Sequence, residues 1–116
     1  MPAPFDIVVE DMIRAIEQAQ SFVGDLTFSQ NQRDAKTQRA VERCLEVISE
    51  ASRRLPPRIK KQYPEIPWSN VAGIGNILRH DYRSVADRII WDTVDLHLPP
   101  LVQTMRAIHA SLPKKS

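Results

Sequence analysis

A chain of 116 residues has the length of one domain able to bury a continuous core. Its formal charge of +2 argues against a protein that coats nucleic acid with its whole surface, but leaves room for a local basic patch. Three glycines and one cysteine argue against a disulfide scaffold and most glycine-rich phosphate loops, and no apolar run approaches the roughly 18 residues of a membrane helix. The opening Met1-Pro2-Ala3-Pro4-Phe5-Asp6 lacks the basic and apolar regions of a secretion signal, so the expected setting is the cytoplasm, off the membrane.

Apolar residues at Val8, Met12, Ile16, Ala19, Val23 and Leu26 recur every three or four positions and predict an amphipathic helix over 5–27, with Gly24 near its end. Ser29-Gln30-Asn31-Gln32 fits a capping box and predicts a second helix over about 30–55. Its stripe is Val41, Leu45, Ile48, Ala51 and Leu55, and Pro56-Pro57 stops it. Cys44 shares that apolar register and reads as core. Glu50 sits on or beside the stripe, where an acid pairs with a buried cation.

Residues 58–62 predict a short helical turn, followed by the aromatic, proline-rich connector Tyr63-Pro64-Glu65-Ile66-Pro67-Trp68. Pro67 suits the first turn of a helix over 68–80. Ser84 reads as the cap of a last helix running from 85 past 100, which Pro99-Pro100 must break or kink. Alternating strand patterns are absent from the sequence, so the expected fold is all-α, an up-down bundle of four to five helices over residues 1–112 with a disordered tail at 113–116.

The chemistry concentrates in Gly73-Ile74-Gly75-Asn76-Ile77-Leu78-Arg79-His80-Asp81-Tyr82. Asn76 and His80 are four residues apart and share a helical face. Tyr82 follows by two, so a helix break near Asp81 brings it to the same pocket. His80 has the ordinary titration range of a general acid or base. Asn76 either orients His80 or bonds a phosphate, or it is a helix-interior amide bonding a connector carbonyl. Tyr82 either meets a ligand or plugs the edge of the core. Histidine, cysteine and carboxylates are not clustered at metal-ligand spacing, so no metal and no cofactor are expected.

These features resemble the HepT-like toxins of the HEPN superfamily. The resemblance is carried by Lys36-Thr37-Gln38, Glu50-Ala51, Arg54-Leu55-Pro56, the Tyr63–Trp68 connector, Gly73, Asn76, His80-Asp81-Tyr82, Ile90-Trp91 and Leu98-Pro99. It implies a homodimeric helical bundle and a metal-independent endoribonuclease, the toxin of a toxin–antitoxin pair. It further implies a minimal nucleotidyltransferase antitoxin that adenylylates Tyr82. Asn76, His80 and Tyr82 are then the expected catalytic residues.

The chain departs from the family's pattern at one position. An arginine is expected where Gly75 stands, and glycine supplies neither charge nor donor for a scissile phosphate. Arg79 and Arg83 flank His80 and are candidate replacements, although Arg79 lies about 100° around the helix from His80. Arg53, Arg54, Arg58, Lys60 and Lys61 form a cation run that reads as a solvated helix end or as an RNA grip, with Arg54 and Arg58 the candidate contacts. Trp68 and Trp91 read as core or interface anchors, and His97 and His109 as surface or interface residues. The alternative to a nuclease is a catalytically silent member that binds RNA or nucleotide without cutting it.

Overall fold

The computed structural model describes residues 4–80 and 83–113; for residues 4, 80 and 83–85 it describes the backbone only. Among the described residues seven α-helices follow one another: α1 (Pro4–Val23), α2 (Phe28–Gln32), α3 (Ala35–Ser52), α4 (Pro57–Lys61), α5 (Trp68–His80), α6 (Arg83–Asp92) and α7 (Leu98–Ser111). A π-helical turn, Thr93–His97, joins α6 to α7. Among the described residues there is no strand, and no helix is long and apolar enough to cross a membrane. The all-α bundle expected from the periodicity is present.

Its centre is α1 packed along α3, with α7 on the other side of α1 and α5 on the other side of α3. Met12, Ile16, Leu45, Ile48, Leu98, Met105 and Ile108 are fully buried there. Glu17 accepts from Arg106 at 2.7 Å, so an ion pair also ties α1 to α7 at the rim. Cys44 belongs to the core, and burial pushes its thiol up against the weaker opposing pull of Arg43.

Helix α1 ends at Val23 because Gly24 turns into the left-handed region at φ +51°, where its N–H still bonds the Gln20 carbonyl at 2.9 Å. Leu26 therefore lies outside the helix. The capping box is real but stands two residues before the expected one. Thr27 Oγ1 accepts from the Gln30 amide at 3.1 Å, and Gln30 Oε1 accepts from the Thr27 amide at 2.9 Å. Both registers satisfy the pattern. The observed one turns Phe28 edge-on to Trp91 at 5.8 Å and under the Arg88 guanidinium at 5.0 Å.

The helix expected over 30–55 is consequently two helices. Asp34 caps the second of them, accepting from the Thr37 amide at 3.0 Å. Glu50 is exposed rather than buried, and its partners are the exposed Arg53 at 3.5 Å and Arg54 at 3.7 Å. Ser84 falls within α6 rather than at its cap, because that helix already starts at Arg83.

Pro99-Pro100 does not break the last helix in the expected way. The backbone widens into the π-turn and resumes as α7 with proline in its first turn, where an amide donor is not needed. Thr93 Oγ1 donates to the Ile89 carbonyl at 2.7 Å, satisfying an acceptor just before the widened turn.

Two outcomes check this packing. Leu45→Ala should destabilise the bundle by about 2–5 kcal/mol in denaturant unfolding, because the side chain is fully buried. The Thr37 amide and hydroxyl hold the Asp34 carboxyl below its ordinary pKa, helped by Lys36. A carboxyl lowered on folding contributes stability above its unfolded pKa and loses it as pH falls through the folded value. Asp34→Ala should therefore lower the melting temperature at neutral pH, with the difference from wild type shrinking below about pH 4.

Candidate functional site

The connector before α5 fixes where that helix begins. Trp68 Nε1 donates to the carbonyls of Tyr63 at 3.0 Å and Lys60 at 3.2 Å, tying the helix start back to α4. The Pro67 carbonyl accepts from Asn70 at 2.9 Å and Val71 at 3.1 Å, while Ile66 is buried beneath. Proline supplies the fixed backbone, and the indole supplies an anchor that is apolar on its faces and polar at its edge.

Register against α3 is set by Ser49. Its buried hydroxyl donates to the Ala72 carbonyl at 2.6 Å and accepts from the Gly75 amide at 3.4 Å. Arg53 Nη2 donates to the same Ala72 carbonyl at 2.8 Å. Gly75 is buried at this contact, where a Cβ would stand 3.5 Å from Ser49 Oγ, an ordinary van der Waals distance.

Helix α5 therefore borders a cavity on each of two sides. Ser69, Gly73 and Asn76 lie on one stripe at spacings of four and three, and position 80 is its next member. This stripe borders a groove of about 540 Å³ closed by Ile89, Thr93 and His97 from α6 and the π-turn. Asn76, inside α5, is exposed and borders the groove. The other side, facing α3, borders a cavity of about 240 Å³ lined by Arg43, Glu46, Glu50, Arg53 and Arg79, with Ser49 and Gly75 beneath.

The expected residues separate accordingly. Asn76 faces the groove, while Arg79 is exposed at the α3-side cavity. Asp81, Tyr82 and the side chains of His80 and Arg83 lie outside the described residues. Of the cation run, Arg53 rather than Arg54 reaches α5, while Arg58 lies over the Phe5 ring at 5.6 Å. Arg54 pairs with Glu50 and stays on the solvent side. Among the described residues no three histidines, cysteines or acids converge in a way that would hold a metal ion.

Two residues came to these cavities without being read as site candidates. His97 borders the groove because the π-turn carries it there, and only the adjacent prolines hinted that the helix was irregular at that point. Arg43 borders the polar cavity from α3, where its sequence neighbourhood looks like an ordinary solvated face.

The model of one known family matches residues 12–108, almost the whole bundle with both sides of α5. The chain belongs to the ribonuclease HepT-like family. A Thermococcus cleftensis protein named "Probable ribonuclease HepT" is 41% identical over 93 residues, covering 80% of this chain and 84% of that protein. A Methanocaldococcus jannaschii protein with a provisional RNase name is 36% identical over 98 residues, covering 84% and 81%. One from Caldanaerobacter subterraneus subsp. tengcongensis, also with a provisional RNase name, is 31% identical over 107 residues, covering 92% and 93%. No solved structure gives a significant match. The HepT-like assignment agrees with the connector and the Asn76–His80 spacing from which the resemblance was read.

Ser49→Ala should cost about 1 kcal/mol in denaturant unfolding, since the Ala72 carbonyl keeps Arg53 but Gly75 loses its side-chain acceptor.

Proposed function

We propose that this HepT-like chain is the ribonuclease toxin of a toxin–antitoxin pair, cutting RNA in the cytoplasm without a metal ion. The reading is carried by one observation. Asn76 stands at an open groove on α5, one helical turn before position 80 on the same stripe. The family match and the RNase names of its relatives support it.

In this mechanism His80 takes the proton from a ribose 2′-hydroxyl. The 2′-oxygen attacks the adjacent phosphorus, the bond to the 5′-oxygen breaks, and that oxygen leaves with a proton. The products are a 2′,3′-cyclic phosphate and a 5′-hydroxyl. Asn76 bonds a phosphate oxygen and fixes the imidazole, and Tyr82 completes the pocket. Arg79, Arg83, Arg54 and Arg58 bind RNA phosphates, and a homodimer sets two such pockets along one RNA. The minimal nucleotidyltransferase antitoxin silences the toxin by transferring adenylate from ATP to the Tyr82 phenol, which loses its proton as pyrophosphate leaves; the adenylate adds charge and bulk where RNA must lie.

A silent RNA-binding member is the second reading, and Gly75 favours it, because no side chain at that position can neutralise the scissile phosphate. Cleavage assays in EDTA distinguish the two. The wild type should cut RNA, and His80→Ala should lose about 10²–10⁴-fold in rate. A wild type that cuts only after Gly75→Arg would instead establish the silent reading. With a minimal nucleotidyltransferase and α-labelled ATP, label should enter the wild type and not Tyr82→Phe; equal labelling of both would exclude Tyr82 as the target.

A further inference from the structure

Gly75 is not simply an absent side chain. The Arg79 guanidinium lies across it, with Nη1 3.5 Å from where a Cβ at position 75 would stand. Glycine carries no side chain into that space, and the guanidinium of an arginine one turn later on the same helix stands at contact distance from it. We propose that Arg79 is the phosphate-binding cation of this site, taking the task of the arginine that Gly75 displaces. The α3-side cavity is its seat. This rests on the nuclease reading of α5.

Helical geometry favours the exchange. Each residue advances about 100°, so position 79 lies about 40° from position 75, while position 80 lies about 140° from it. Arg79 is therefore about 100° from position 80, closer in angle than a side chain at 75 would be. It is also about 6 Å nearer to position 80 along the axis than position 75 is. The angular offset that argues against Arg79 argues more strongly against position 75 itself.

The surroundings fit a phosphate. Arg43 and Arg53 join Arg79 around the cavity, so three guanidinium groups face two carboxylates, Glu46 and Glu50. The Arg43–Glu46 and Arg53–Glu50 contacts are long, at 3.6 and 3.5 Å, and exposed. Such pairs are weak and give way to a phosphodiester oxyanion. Arg53 is already oriented by its bond to the Ala72 carbonyl, which lowers the cost of presenting its remaining donors. Guanidinium binds phosphate through two parallel donors, a geometry lysine cannot copy.

A charge-swap experiment tests the assignment. Arg79→Gln should lower single-turnover RNA cleavage about 10²–10³-fold. Gly75→Arg added to Arg79→Gln should recover at least about tenfold of the loss, because the new arginine enters the volume Arg79 has vacated. Arg79→Lys should recover less, lacking the fork. A 2′-O-methyl RNA, which cannot be cut, should bind Arg79→Gln more weakly and with a shallower salt dependence than wild type. Wild-type cleavage that survives Arg79→Gln within twofold would overturn the proposal and leave the nuclease reading standing. Wild type that neither cuts RNA nor binds the 2′-O-methyl strand would overturn both.

Discussion

A buried serine hydroxyl on α3 holds the middle of α5 in place, and the chemistry of this protein depends on that contact. Ser49 reaches the Ala72 carbonyl and the Gly75 amide, so α5 sits against α3 in one register and one rotation. Rotating α5 by a single residue, about 100°, would carry Asn76 out of its groove and Arg79 away from the α3-side cavity. Trp68 fixes the same helix at its start through the carbonyls of α4 and the connector. These two anchors add a fixed register to the apolar packing that Val71, Ile74 and Leu78 already give the helix.

Much of the fold was legible because burial imposes a period. Val41, Leu45, Ile48 and Ala51 are buried as their spacing requires, and α5 spans the range that Pro67 and the connector imply. The misses share a physical cause, which is that a local pattern permitted more than one outcome and tertiary contacts chose. Thr27-Phe28-Ser29-Gln30 and Ser29-Gln30-Asn31-Gln32 are equally good capping boxes; the position of Phe28 beside Trp91 and Arg88 decides for the first. Pro99-Pro100 demanded relief from helical hydrogen bonding, but sequence could not say that a π-turn would provide it.

Legibility of the site divides in the same way. The Asn76–His80 spacing was readable, since it needs only a helix, and Asn76 does face an open groove. The partners that come from other elements were not: Arg43 and Arg53 reach the α3-side cavity through packing, and His97 reaches the groove through the π-turn. Arg79 gives no sign in the sequence that its guanidinium lies beside Gly75, since that depends on how α5 packs on α3.

These contacts assign different work to the two sides of one helix. The groove side, with Asn76 and mostly apolar walls, suits a ribose and base beside the group that moves the proton. The α3 side, rich in guanidinium, suits the charge on the phosphodiester. In the proposed function, one RNA strand meets both. Nuclear magnetic resonance of the wild-type side chains during titration with a 2′-O-methyl RNA tests this most directly. The account predicts that the Asn76 amide, the His80 imidazole and the Arg79 guanidinium shift together and saturate at one RNA concentration. Shifts confined to Arg58, Lys60 and Lys61 on α4, with α5 unmoved, would contradict it.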